Sequence, residues 1–153
     1  MSVVFALATP PAQSAICVFR VSGKGCLDEI EKIFNKPVQK HKTFCIRKLL
    51  HQGRVVDEVG VITFSSPNSY TGEDLAEFHV HGSRAVIKAM HSSIEKIKNC
   101  RLAEPGEFTK RAFENGKINL LKAESIADPV SYTHLRAHET RGNLVFRLVL
   151  EKK

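Results

Sequence analysis

One stretch of this chain alternates between apolar and polar residues and has an unusually polar face. Residues 67–82, PNSYTGEDLAEFHVHG, begin with turn formers and then alternate with a period of two, which predicts a strand. Three polar side chains lie on one side of that strand: Glu77, His79 and His81. A polar strand face followed directly by a helix pattern, which begins at Ser83, favours a small-molecule site.

The rest of the pattern predicts strands and helices in the order β-β-α-β-β-β-α-β-α-α. The strands are expected over 3–8, 15–21, 43–50, 55–64, 75–81 and 100–103, and the helices over 24–34, 83–98, 107–114 and 118–128. His51-Gln52-Gly53-Arg54 is expected to close a hairpin. Hairpins mixed with helices predict an α+β fold, with a mixed sheet that carries its helices on one side.

Helical spacing also predicts which residues of the later helices are buried. The helix over 83–98 has an apolar stripe formed by Val86, Met90, Ile94 and Ile97. For the last two helices the residues expected to face inward are Phe108, Ala112, Phe113, Leu121 and Ile126.

Composition describes an ordinary globular chain of one domain, or one domain and a tail. The chain has 153 residues, 42% of them hydrophobic, and no apolar run approaches the ~20 residues that a membrane-spanning helix needs. The start has no basic region of the kind found in signal peptides, and the four cysteines lack metal-ligand spacing. We therefore expect a cytoplasmic protein with reduced thiols and no membrane association. The net charge of +7 is concentrated partly after residue 128, so the rest has only a mild basic excess.

Three residues are the candidates for ligand binding. Glu77 can accept two N–H donors from a heterocycle, and Arg20, late in an apolar strand, needs a partner or an anion. Lys117 follows the Asn115-Gly116 helix end, where charges often serve a site. A metal held by the polar face of the strand is a weaker interpretation, and hydrogen-bonded surface imidazoles are another.

Four segments in order resemble one known family. They are ATPP, FRVSG, PNSYTGEDLAEFHVHG and RLAEPGEFTKRAFENGKINLLKAESIAD. Over about residues 1–128 the chain is similar to the N-terminal domain of the tRNA-modification GTPases of the MnmE (TrmE) family. That domain resembles the tetrahydrofolate-binding domains of aminomethyltransferase-type proteins.

The resemblance implies a function that composition and spacing do not. The family's N-terminal domain binds 5-formyltetrahydrofolate or a related tetrahydrofolate and forms a homodimer. The whole protein, with the FAD-dependent partner MnmG, modifies C5 of the wobble uridine in tRNA and hydrolyses GTP. Its folate contacts match Arg20, Glu77 and Lys117. Glu77 is expected to hold the pterin N–H groups, while the two cations serve anionic or carbonyl parts of the ligand.

The resemblance also implies a division of the chain. Residues 1–120 are expected to form the folate-binding and dimerisation domain, and 121–128 to start a helical domain. Residues 129–153 resemble translated adapter sequence and are expected to be a non-native tail, with Pro129 ending the last helix. No phosphate loop occurs, so we expect no catalytic residue here and no GTP hydrolysis by this chain alone.

Two other functions remain open at this point. The domain could be a stand-alone folate-dependent one-carbon transferase, with His79 as its general base. It could instead be a basic RNA-binding module, although two Tyr and no Trp offer little for stacking on bases.

Overall fold

The computed structural model describes residues 2–10, 14–34, 36–38 and 42–132, and of 127–132 only the backbone. Its strands are β1 (Val3–Leu7), β2 (Ile16–Ser22), β3 (Phe44–His51), β4 (Arg54–Phe64), β5 (Leu75–His81) and β6 (Cys100–Leu102). Its helices are α1 (Cys26–Phe34), α2 (Arg84–Ile94), α3 (Glu107–Glu114) and α4 (Leu120–Tyr132). Apart from shifts at their ends, these are the predicted elements in the predicted order.

The described strands form one sheet in the order β3-β4-β5-β2-β1-β6. Strands β1 and β6 pair in parallel, and the other neighbours pair antiparallel, so the predicted mixed sheet is confirmed. The β3–β4 hairpin turns at Gln52 and Gly53, which both have a positive φ, as the predicted hairpin requires.

One face of the sheet packs against α1 and α2 and forms the main core. Strand β2 contributes Cys17, Phe19 and Val21 to that core, each at most 1% exposed. The alternation that buries these residues turns Val18 and Arg20 to the opposite side, which we call the outer face. In the core, burial raises the pKa of the Cys26 thiol to about 12, so this thiol stays protonated at neutral pH.

Helices α3 and α4 form a second, smaller cluster. It consists of Ala112, Ile118 and Ala123, and it lies apart from the main core. Three of the predicted inward residues are wrong: Phe113 is 46% exposed, Leu121 is 76% exposed and Ile126 is 40% exposed. The small contact between the two helices uses Ala112 and Ala123, and the larger apolar side chains beside them stay largely outside it within the described residues.

The end of α4 also differs from the expectation. Pro129 does not end the helix, which continues to Tyr132. Proline removes one N–H donor and its ring crowds the carbonyl four residues earlier, yet the backbone stays helical through Pro129. The rest of the expected tail, residues 133–153, lies outside the described part of the chain.

Candidate ligand site at Arg20 and Glu77

Arg20 and Glu77 meet on the outer face at the middle of the sheet. They are 57 residues apart in the chain but lie directly opposite each other across β2 and β5. Both Nε and Nη2 of Arg20 donate to Oε1 of Glu77, at 3.0 and 2.7 Å. Their side chains are 31% and 20% exposed, so the pair is reachable from solvent. Glu77 is thus the partner that Arg20, as a charged residue late in an apolar strand, was expected to need.

Two aromatic rings flank the guanidinium of Arg20. Its Cζ atom lies 5.8 Å from the ring centroid of Tyr70 and 5.8 Å from that of Phe108, within cation–π range. Tyr70 comes from the loop 65–74 between β4 and β5, and Phe108 comes from α3. A cavity of about 320 Å³ opens beside Arg20, and its lining includes Ala6, Phe108 and Pro105. Mostly apolar walls beside a guanidinium suit a small organic ligand.

Helix α3 fixes the loop 65–74 through a buried ion-pair network. Arg111 donates to Glu73 of the loop at 2.9 Å and to Glu107 of its own helix at 2.9 Å. Glu107 also receives two bonds from Arg101, at 2.9 and 2.7 Å. Burial alone raises the pKa of the Glu107 carboxyl, but these donors outweigh it and hold that pKa below its usual value.

Further bonds tie the same loop to its neighbours. The Tyr70 hydroxyl lies 3.1 Å from the Thr109 hydroxyl of α3, and the Asn115 amide donates to the Thr71 carbonyl at 2.7 Å. The Ser22 and Thr71 hydroxyls are 2.7 Å apart and fully buried. These contacts hold the Tyr70 ring where it faces Arg20.

Lys117 contacts the same loop but away from Tyr70, at Pro67 and Gly72. Its Nζ donates to the Pro67 carbonyl at 2.9 Å, and its side chain passes beside Gly72. The structure records no contact between Lys117 and Arg20 or Glu77 among the described residues. Its role in a ligand site therefore stays a prediction, and the residue that the structure brings to Arg20 from this region is Tyr70.

The two histidines of the polar face have different surroundings. His81 Nδ1 lies 2.6 Å from Asp57 Oδ1, whereas His79 Nε2 lies 3.9 Å from Glu77 Oε2. Across the ranges described, no group of three or more His, Cys, Asp or Glu side chains is arranged to hold a metal ion.

Sequence reasoning missed the aromatic part of the site. The sequence pattern places Tyr70 only in a turn and Phe108 only on the apolar side of its helix. A signal was present, since an aromatic residue inside a Gly- and Ser-rich turn has no core to enter. Its partner could not be identified without the pairing of distant segments.

The fold identifies the general class of this domain, and the sequence comparison identifies its family. The mixed sheet with its helices is an α+β fold of the folate-binding-like kind. No described helix is long and apolar enough to span a membrane. The sequence matches the family described as "GTP-binding protein TrmE N-terminus" over residues 3–117, and the chain belongs to that family.

Relatives named "tRNA modification GTPase MnmE" match most of this chain. The protein of Pelagibacter ubique is 54% identical over 130 residues, which are 84% of this chain and 29% of the relative. The protein of Caulobacter vibrioides is 46% identical over 125 residues, 82% of this chain and 28% of the relative. That of Aquifex aeolicus is 42% identical over 132 residues, 84% and 29% respectively. The chain thus spans under a third of these relatives and corresponds to an N-terminal region of MnmE.

Proposed function

We propose that this domain binds a one-carbon-substituted tetrahydrofolate, such as 5-formyltetrahydrofolate, at the Arg20–Glu77 pair. The observation that supports this most is the pair itself: a partly exposed carboxylate and guanidinium at the sheet centre, between the rings of Tyr70 and Phe108. Charged residues bonded to each other at the surface are common, but two aromatic rings around such a pair are typical of a site for a flat, polar ligand.

The residues present fit a reduced folate. Glu77 gives only Oε1 to Arg20, so Oε2 can accept N–H donors of a pterin ring. Arg20 offers N–H donors to carbonyl or carboxylate oxygens, and the adjoining cavity of about 320 Å³ has room for part of such a molecule. Lys117 is proposed to serve the anionic end of the ligand, in exchange for its present bond to Pro67.

Calorimetric titration of the chain with 5-formyltetrahydrofolate tests the proposal. Glu77→Ala is expected to weaken binding about 10- to 100-fold, because a hydrogen bond to a charged group contributes about 1.5–3 kcal/mol. Glu58→Ala is the matched control, since it removes an exposed carboxylate of β4 and is expected to leave affinity unchanged. Equal affinity of the Glu77→Ala variant and the parent contradicts the site, and no binding by the parent contradicts the function.

We further propose that the domain forms a homodimer through the outer face. Among the described residues no helix covers the β3–β4 part of this face, which exposes large apolar side chains. Phe44 is 57% exposed and Ile46 is 59% exposed, beside the half-buried Ile62. An apolar surface of this kind marks an interface. A second copy that covers it also shields the Arg20–Glu77 pair from water and strengthens its electrostatics.

Sedimentation velocity of surface variants tests the dimer. Ile46→Lys is expected to give monomers, because it places a charge in the apolar interface. Leu102→Lys is the control: Leu102 is as exposed, at 59%, but lies on β6 at the other edge of the sheet. A parent chain that sediments as a monomer, or a dimer that survives Ile46→Lys, contradicts the proposed interface.

The proposed role of the domain in a larger protein is based on the relatives, which are named as tRNA modification GTPases. We propose that the domain supports C5 modification of the tRNA wobble uridine by a full-length protein in the cytoplasm, together with an FAD-dependent partner of the MnmG type. In this proposal GTP hydrolysis belongs to parts of the relatives that the 153 residues do not match.

A further inference from the structure

His79 has a polar atom that the fold leaves without a partner. Its Nε2 is buried and makes no hydrogen bond with any residue in the described ranges, although a third of the side chain is exposed. Buried polar atoms in folded proteins are nearly always bonded, so an exception at a candidate site points to a ligand group.

The unbonded atom faces the free oxygen of Glu77. His79 Nε2 and Glu77 Oε2 are 3.9 Å apart, too far for a direct hydrogen bond. Arg20 uses only Oε1, so the two unused atoms lie side by side on the outer face. One is an acceptor and the other, as Nε2–H, is a donor.

The neighbouring strands offer Nε2 of His79 no polar side chain. In β4 the residue opposite His79 is Gly60, and in β2 it is Val18, so neither carries a polar group that could satisfy the imidazole. The tip of the Phe44 ring lies over Gly60, where an added Cβ would come within 2.6 Å of it. A flat ring beside an adjacent donor and acceptor is a suitable surface for a flat heterocycle.

We propose that His79 is a further ligand-binding residue of this site, whose Nε2–H donates a hydrogen bond to the ring carbonyl of a pterin-type heterocycle held by Glu77. This inference rests on the folate-binding function proposed above and specifies one edge of the ligand. An N–H donor next to a carbonyl acceptor on the heterocycle matches the acceptor of Glu77 and the donor of His79.

The experiment is a calorimetric titration of the 153-residue chain and its variants with 5-formyltetrahydrofolate. His79→Leu is expected to weaken binding about tenfold, while His79→Gln, which keeps an N–H donor, stays within about threefold of the parent. His81→Leu is the matched control, because His81 lies two residues along the same face but pairs with Asp57. Its affinity is expected to equal that of the parent.

Two further measurements distinguish an effect on ligand binding from an effect on folding. The melting temperature of His79→Leu is expected to equal or exceed that of the parent, since the substitution removes an unbonded buried atom. In ¹H–¹⁵N spectra the His79 imidazole signal is expected to shift on addition of ligand, while that of His81 does not.

The outcomes distinguish the two proposals. If the parent binds and His79→Leu binds equally well, the role of His79 is overturned and the folate site stands. Equal losses in His79→Leu and His81→Leu also overturn it, because they indicate a general effect on the strand. If the parent does not bind the folate, both proposals fail together.

Discussion

Gly82 directly follows β5, at a point where the fold has no room for a side chain. A Cβ there would overlap the backbone carbonyl oxygen of Ser14, which cannot rotate away. At Gly60 an added Cβ would instead meet the tip of Phe44, a half-exposed side chain that can move. A substitution at Gly82 therefore requires a shift of the backbone, whereas one at Gly60 requires only a movement of the Phe44 side chain.

We expect Gly82→Ala to lower the free energy of unfolding by about 2–3 kcal/mol, because backbone has to shift, and Gly60→Ala by less than about 1 kcal/mol. Urea denaturation of both variants checks this difference. Equal losses in the two variants contradict the steric account.

Single residues of the site were predictable one at a time. The late position of Arg20 in an apolar strand and the polar alternation around Glu77 identified both as candidates. Their direct pairing was not predictable, because it depends on the register of β2 against β5, which single-strand patterns do not specify. For the same reason the aromatic neighbours Tyr70 and Phe108 were missed.

Among the elements, α3 does more than pack: it anchors the loop 65–74. Arg111, only 8% exposed, bonds Glu73 of the loop, Glu107 of the helix and the Ser2 carbonyl. A buried guanidinium with partners on three segments links the loop to the start of β1. The position of Tyr70 over Arg20 depends on this link.

We expect Arg111→Met to lower the free energy of unfolding by about 3–5 kcal/mol, because it leaves the buried carboxylate of Glu73 without its cation and removes one of the two cations that bond Glu107. Lys110→Met is the control, since Lys110 pairs with Glu114 only at 3.9 Å and in solvent, and a change below about 0.5 kcal/mol is expected. Chemical denaturation at neutral pH measures both.

The loss of stability expected for Arg111→Met depends on pH, because the network contains a carboxylate with a shifted pKa. Glu107 has a lowered pKa in the folded chain. Its ionised carboxylate therefore contributes fully to the free energy of unfolding above the ordinary pKa of 4.5, and this contribution disappears as the pH falls through the lowered pKa. The difference between parent and Arg111→Met should therefore narrow in acid. A loss that is the same at acid and neutral pH contradicts the ionic origin.

Element types followed closely from the sequence, but the surroundings of the last two helices did not. The stripe of α2 is buried as predicted, from Val86 to Ile94. In α3 and α4 the same reasoning failed for Phe113, Leu121 and Ile126. Periodicity identifies the apolar side of a helix, yet it does not tell whether another element lies against that side.

The whole molecule holds together through one main core. Every buried member of that core lies between Val3 and Ile97, and the second cluster ends at Ala123. The fold class was predictable because hairpins, helix spacing and turn residues agreed with one another. The division at residue 120 and the origin of residues 129–153 stay predictions.

Two truncated chains test the proposed division into a folded domain and a tail. Removal of residues 129–153 is expected to change the melting temperature by less than about 2 °C, because no residue of either cluster is lost. Truncation after Lys117 also removes Ile118 and Ala123 and is expected to lower it by about 5 °C or more. Calorimetric scans of the two truncated chains and the parent give the comparison, and a large loss in the longer one contradicts the assigned boundary.

The site at Arg20 draws on β2, the loop 65–74, β5 and α3, and this has a consequence for synthesis on the ribosome. Residues before Phe108 can pair Arg20 with Glu77, but they cannot supply the second aromatic wall or the helix that anchors the loop. A ligand that needs both rings can therefore engage only a nascent chain that has been translated through α3. Occupancy would then report that the domain has been completed.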